Sequence, residues 1–165
     1  MGSEMCIRDR YYTKDLRGDL SGTVTNAGSA FKFGQNTDEE RTFSGMTISG
    51  NTIGIDNDGS GDIILTDVTL SNTKDVRITG QGDVDVIDGT VDSTTVEVTG
   101  TGLYTRMRAL EATITADGSP VADSTVSLVS GTGTTTATAT TNSTGVASSL
   151  TFPTVKVDKN GNFNL

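Results

Sequence analysis

Histidine and tryptophan are absent from this chain, cysteine occurs once and proline twice. Without histidine the commonest general base near neutral pH and the commonest metal ligand are missing. Ser–His and Cys–His nucleophile systems are therefore excluded. The single cysteine, Cys6, lies in the first ten residues, so the rest has no disulfide, thiol nucleophile or thiolate ligand. No apolar stretch approaches the roughly 18 residues a membrane helix needs, and no membrane insertion is expected of these residues. Basic residues are outnumbered, 12 Lys and Arg against 21 Asp and Glu, leaving a net charge of −9. That balance argues against a nucleic-acid backbone or an anionic bilayer as partner. What remains for chemistry is carboxylates and hard-cation binding.

Present instead are glycine, threonine and other β-branched residues without a helical period, which point to many short strands. The length, 165 residues, suits about one domain or two small ones. The first ten residues, "MGSEMCIRDR", fit nothing that follows. "EMCIRDR" resembles a translated sequencing adapter and is set aside from fold reasoning. The native protein is expected to be longer at both ends.

A repeat runs through the first two thirds. Val24, Met46, Val68 and Val91 fall at steps of 22, 22 and 23. The same offset carries Phe31 and Phe33 onto Ile53 and Ile55, then Val76 and Ile78, then Val96 and Val98. Phe43, Leu65 and Val86 form a third column. One period thus holds three short apolar strands between polar corners. Glycine marks the corner after the second strand: Gly34, Gly59 and Gly61, Gly80 and Gly82, Gly100 and Gly102. Sharp corners need positive φ, which glycine supplies. A fixed period of this length is the signature of a solenoid, in which each rung buries its inward side chains only by stacking. Alternation within strands points Val24, Met46, Val68, Asn26, Ile48 and Leu70 inward and sets Thr25, Thr47 and Thr69 in an outward ladder. The competing arrangement is an antiparallel sandwich with similarly spaced strands.

On this period and these corner glycines, residues 21–108 resemble right-handed parallel β-helix proteins of the pectate-lyase-like group. They also resemble the β-strand-repeat stalks of large microbial surface proteins. The expected fold is all-β: a right-handed parallel β-helix of about four rungs with three strands per rung, plus a partial immunoglobulin-like β-sandwich. The expected domains are 1–20, non-native or disordered; 21–108, the β-helix; and 109–165, a truncated sandwich module. That last part resembles bacterial immunoglobulin-like or carboxypeptidase-regulatory-like modules. Gly118, Pro120, Val121, Val126 and Leu128, then Thr141, Asn142, Gly145, Val146 and Ala147, carry the resemblance. "DGSPV" and "TNSTG" read as turns leading into strands. A complete sandwich needs on the order of 100 residues, more than remain here.

"DNDGSGD", residues 56–62, is the sharpest local signal. Asp56, Asp58 and Asp62 around flexible glycines could offer oxygen ligands to Ca²⁺, although the order departs from the helix-loop-helix calcium motif. A solvated corner favouring Asp and Asn is the plain reading. "DKNGN" at 158–162 is a weaker version of the same pattern. Rung stacking brings Glu40, Asp62 and Asp83 into one column at steps of 22 and 21, about 4.8 Å apart. Each adjacent pair would cost roughly 1 kcal/mol in water, so the groups splay, bridge a cation or protonate. Bound Ca²⁺ would stiffen the stalk. No catalytic residues and no certain cofactor are assigned.

β-Helix lyases and glycosidases use acidic clusters with Ca²⁺, or an Asp/Glu pair, plus a basic residue. Arg77 with Asp83 and Asp85 would be cast in those roles here. The Thr25/Thr47/Thr69 ladder is similar to the regular Thr-x-Thr arrays of ice-binding solenoids, although one column suits an ordinary solvated face. "NST" at 142–144 matches an N-glycosylation acceptor. The expected function is a non-catalytic extracellular or cell-surface structural or adhesive fragment, with glycans or other surface proteins as partners. A carbohydrate-active β-helix enzyme and a trimeric viral tail-spike segment are the alternatives.

Overall fold

The structure, a computed structural model, describes residues 11–12, 22–25 and 27–164. Asn26, Cys6 and the adapter-like start lie outside the described residues. In chain order the strands of the first part are β1 (Tyr11–Tyr12), β2 (Gly22–Val24), β3 (Ser29–Phe33), β4 (Arg41–Ser44), β5 (Met46–Ser49), β6 (Ile53–Asn57) and β7 (Ile63–Thr66). Then come β8 (Thr69–Ser71), β9 (Lys74–Ile78), β10 (Val84–Ile87), a 3₁₀ turn at Ser93–Thr95, β11 (Val96–Val98) and β12 (Tyr104–Thr113). Three sheets result, ordered β2-β5-β8, β1-β3-β6-β9-β11 and a third running from β4 through β7 and β10 to β12. Among the described residues the paired strands of β1 to β11 are parallel, and each pair links one turn to the next. The chain is a β-solenoid of about four turns, and the antiparallel sandwich is ruled out for this part. Tyr11–Tyr12, inside the segment expected to be disordered, pair with Lys32 and Phe33.

The columns exist, but the first step is longer than the sequence period suggests. Val24 sits against Ile48, not Met46, and Ile48 against Leu70. Phe31 sits against Ile55, not Ile53, and Ile55 against Val76, which meets Val96. Phe43, Leu65 and Val86 stack as expected. Two extra residues in the first corner after β3 cause the difference: Gly34–Glu40 intervene there, against Asp58–Asp62 one turn later. A two-residue slip leaves every side chain on its original face, because strand side chains alternate with period two. The described members of the inward set, Val24, Met46, Ile48, Val68 and Leu70, are therefore buried as expected, although partners across the long corner are shifted by two residues.

Inside the coil the three columns close on one apolar core. Val24, Ile48, Leu70, Val76, Ile55, Leu65 and Val86 belong to it, each at most 5 % exposed. The Phe43 ring lies 5.5 Å from that of Phe31 and 6.0 Å from that of Phe33, filling the first turn. Burying one such side chain fully is worth roughly 1.5–3 kcal/mol, and no single rung does this alone.

Each corner has its own chemistry. Between the third and first strands a single left-handed residue makes the turn: Gly45 (φ 62°), then Asp67 (φ 53°), then Asp88 (φ 53°). Asp tolerates this region better than most side chains. Between the first and second strands stand Asn51 and Asn72. Asn51 Nδ2 donates to the Val24 carbonyl and to Asn72 Oδ1, and Asn72 Nδ2 donates to the Ile48 carbonyl. Asp75, 1 % exposed, accepts from the Asn72 N–H, and its other oxygen accepts from Thr95 Oγ1. These side chains satisfy backbone groups that the bend leaves without a ladder partner.

The corner glycines after the second strand serve close approach rather than positive φ. None of Gly59, Gly61, Gly80, Gly82, Gly100 and Gly102 has positive φ. A Cβ on Gly80 would lie 2.2 Å from the Gly59 carbonyl oxygen, and one on Gly82 2.1 Å from that of Gly61. The next turn repeats it, Gly100 against Gly80 and Gly102 against Gly82. Two glycine files therefore let successive turns lie backbone to backbone.

The remaining strands are β13 (Thr115–Ala116), β14 (Ser119–Pro120), β15 (Thr125–Val129), β16 (Thr135–Thr140), β17 (Val146–Asp158) and β18 (Gly161–Asn164). β13 and β14 form a hairpin on Asp117 and Gly118, both at positive φ as a tight two-residue turn requires. β15 and β16 form a second antiparallel pair. β17 and β18 extend the sheet that contains β12. Two compact units result: the solenoid together with the strand residues from Thr154 onward, and Met107–Pro153. The expected break at 108/109 thus falls at 106/107, and the end of the chain returns to a sheet assigned to the β-helix. Met107–Pro153 holds the two separate two-stranded sheets, β13–β14 and β15–β16, together with parts of the long strands β12 and β17.

Candidate functional site

The acidic corner after β6 is the site the sequence singles out. Asp56 does not face it. It sits on the outward side of β6, 1 % exposed, in a row that the register builds from Lys32, Asp56, Arg77 and Glu97. Signs alternate along this row. Arg77 Nε and Nη2 donate to the two Asp56 carboxylate oxygens at 2.9 and 2.7 Å, and Lys32 Nζ lies 3.8 Å away. Lys74 adds an ion pair to Glu97. A buried carboxylate requires such partners, and a bidentate guanidinium is the strongest available. The Asp56 hydrogen bonds hold the Arg77 guanidinium above its already high ordinary value.

Glu40, Asp62 and Asp83 do form the expected column, since Arg41, Ile63 and Val84 stack directly after them. The like charges are accommodated by hydrogen bonding. An Asp62 oxygen accepts the Asp83 N–H at 2.9 Å, and an Asp83 oxygen accepts the Leu103 N–H at 2.8 Å. Each carboxylate thereby ties its own turn to the next. Glu40 is exposed. Asp58 accepts from Thr79 Oγ1 at 3.0 Å, again one turn on. Among the described residues no three acidic side chains form a group that would hold a metal ion. The five residues expected to bind Ca²⁺ are thus divided: Asp56 belongs to a charge row on one sheet, while at the corner Asp58, Asp62 and Asp83 each reach for the next turn and Glu40 faces solvent. "DKNGN" is the β17–β18 turn, where the Asn160 N–H holds the Asp158 carboxyl below its usual range.

Arg77 and the Asp83/Asp85 pair are likewise apart in their commitments, Arg77 to Asp56 and Asp83 to Leu103. Asp85 lies on β10 beside Thr105. Burial pushes its carboxyl up, the Thr105 hydrogen bond opposes this, and Asp83 and Asp62 add to it. Tyr104, fully buried with its hydroxyl unpartnered, is also pushed up by burial. Beside the glycine files lies an open groove of about 480 Å³, lined by Gln35, Asp58, Ser60, Thr79, Gln81 and Thr101. Its lining is polar and lacks an aromatic platform.

Sequence reading missed three participants. Asn57 takes an inward position where the repeat has Ile78 and Val98. It is fully buried, donating to the Gly61 and Gly82 carbonyls and accepting the Gly59 N–H. Its signal was a lone polar residue at an inward position. Asn51 and Asn72, 21 residues apart, were visible as a repeat of their own. The outward threonine ladder is Thr23, Thr47, Thr69 and Thr90 rather than one starting at Thr25.

Comparison with known proteins gives no identity: no family model, no curated protein and no solved structure matches this chain. Among the described residues no helix is long and apolar enough to cross a membrane.

Proposed function

We propose that this chain is part of a non-catalytic extracellular or cell-surface protein, in which the solenoid serves as a stalk or spacer with structural or adhesive duty. One observation carries the reading: the polar side chains that a catalytic β-helix would gather in a cleft are here engaged between turns. Asp56 with Arg77, Asp62 with Asp83, Asp83 with Leu103, and Asn51 with Asn72 all bridge neighbouring turns. A solenoid built this way adds length by adding turns, since each contacts only its neighbours. The resemblance of residues 21–108 to pectate-lyase-like β-helices and surface-protein stalks supports the same reading. So does the resemblance of the hairpin unit to immunoglobulin-like and carboxypeptidase-regulatory-like surface modules. Glycans or other surface proteins are the fitting partners.

The polar groove beside Asp58 favours one second reading, a carbohydrate-active β-helix. Incubation with a panel of acidic and neutral polysaccharides, followed by reducing-end and unsaturated-product assays, separates the two. The stalk reading expects no product from any of them. Turnover that disappears in Asp58→Asn or Asp85→Asn would replace it with the enzyme.

A further inference from the structure

Asn160 is the one asparagine of this chain that glycine follows, and it stands in the two-residue turn between β17 and β18. Asn160 and Gly161 are both exposed, and a Cβ on Gly161 would meet nothing within 4 Å. Gly161 holds φ at 136°, a conformation side chains rarely adopt. Its backbone nitrogen therefore adjoins a carboxamide with no side chain to shield it. Asn51 and Asn57, by contrast, are buried and are followed by Thr52 and Asp58. A backbone nitrogen so placed is a nucleophile for the neighbouring carboxamide. The Gly161 nitrogen gives up its proton and attacks Asn160 Cγ, the Cγ–Nδ2 bond breaks, and Nδ2 takes up a proton and leaves as ammonia. The product is a cyclic imide, which water opens at either carbonyl to give aspartate or isoaspartate at position 160. Water is consumed and ammonia released, with no oxidation and no further reactant.

Asp158 opposes each part of this step. One carboxylate oxygen accepts the Asn160 N–H at 2.6 Å, and the other accepts Asn160 Nδ2 at 3.0 Å. The leaving nitrogen thus starts bonded to a group that has no proton to give it. The Asn160 N–H, above all, holds this carboxyl below its usual range, and the Gly161 N–H donates to it as well. Asp158 is therefore ionised at neutral pH, and negative charge beside the Gly161 N–H disfavours loss of its proton. Conversion would in turn act on the sheet. β18 is the end strand of its sheet and joins it only through β17. Aspartate at 160 sets a second carboxylate against Asp158, while isoaspartate adds a methylene to the main chain inside the turn. Loop length fixes hairpin register, so the lengthened turn no longer sets Asp158 opposite Gly161.

We propose that Asn160–Gly161 is a self-deamidation site on which Asp158 acts as a brake, and that conversion frees β18 from the edge of its sheet. The inference does not depend on the stalk reading. The test incubates the full chain at neutral pH and follows every asparagine by peptide-mapping mass spectrometry, with enzymatic methylation of isoaspartate as a second readout. Conversion should concentrate at Asn160. Asp158→Ala should speed it about tenfold, the scale of one charge-assisted hydrogen bond, and Asp158→Asn, which drops the charge and keeps the shape, should act in the same direction. Before conversion both variants should protect β18 from hydrogen exchange as the wild type does, which separates a lost brake from a loosened turn. The ratio of variant to wild-type rates should shrink toward one as acid protonates Asp158. In urea-unfolded chains all three should convert alike. Converted wild type should lose protection at residues 155–158 and 161–164 and keep it at Leu65 and Val86, and Asn160→Gln should show neither the mass change nor that loss. Equal rates in folded wild type and both variants, equally fast conversion at other asparagines, faster conversion only where β18 is already open, or converted chains with β18 still protected overturns the proposal.

Discussion

Replacing Gly80 by alanine tests whether backbone contact between turns governs this fold. The added Cβ would lie 2.2 Å from the Gly59 carbonyl oxygen and 2.5 Å from the Asp58 carbonyl carbon, where ordinary contact begins at 3.4 Å. Both obstacles are backbone, so the turns must separate by roughly 1 Å in a stack packed at crystal-like density. Overpacking of this kind costs up to about 3 kcal/mol. Separation also stretches bonds such as Gln81 N–H to the Gly59 carbonyl, 2.9 Å, and Gly80 N–H to the Asn57 carbonyl, 3.1 Å, adding about 1 kcal/mol. Restricting the unfolded chain returns somewhat less than 1 kcal/mol. The expected loss is about 3 kcal/mol. For a urea slope of about 2 kcal/mol/M the midpoint falls by roughly 1.5 M. Gly45→Ala is the internal control: its φ is +62° but nothing lies within 4 Å, so only the left-handed penalty of about 1 kcal/mol applies. Urea titration followed by circular dichroism, with hydrogen exchange at Val76 and Ile78, reads both variants. A Gly80→Ala loss no larger than that of Gly45→Ala would refute the argument.

Three further outcomes follow from the charged groups. Arg77→Ala leaves Asp56 buried with Lys32 at 3.8 Å and a long hydrogen bond from the Ser29 hydroxyl, and should cost about 2–3 kcal/mol in urea unfolding, below the full penalty for a broken buried pair because Arg77 itself reaches solvent; an unchanged midpoint would count against the charge row. Asp85 has a folded-state pKa raised chiefly by burial, so the stability it contributes is present at pH below its unfolded value and lost as pH rises through the folded one. Asp85→Asn should therefore raise the melting temperature at neutral pH while changing little in strong acid, and a lower melting temperature at neutral pH would contradict this sign. Because Asp62 and Asp83 already accept backbone N–H groups, melting curves in millimolar calcium and in chelator should superimpose; a shift of several degrees would show that the corner reorganises around the cation.

The turn period, the inward columns and the corner glycines were legible because a solenoid writes its long-range contacts as local repetition. What the repeat concealed was the first corner, where Gly34–Glu40 exceed the later corners by two residues. Aligning hydrophobic residues absorbed that insertion as a wrong partner, Ile53 for Ile55, without disturbing which face was buried. The glycine files were found for the wrong reason, since sequence cannot tell a left-handed residue from one pressed against a neighbouring carbonyl. Of the left-handed corners between the third and first strands only Gly45 has glycine at the left-handed position; Asp67 and Asp88 take the same conformation without it. Asp56 read as a ligand because its alternation partner across the sheet, Arg77, lies 21 residues away. After Tyr104 no period survives, so the pairing of β17 and β18 into the sheet containing β12 had no local signature at all.

The direction of the bonds between turns has a mechanical corollary. Thr73 to Asn51, Lys74 to Thr52 and Thr95 to Asp75 all point from one coil to its neighbour, along the line on which a tether would be pulled. Tension would strip the outermost coil while its neighbours stayed closed, paying out some 70 Å of slack for each set of about 21 residues released. Such a tether yields in fixed increments, and sheds load without losing the rest of its length.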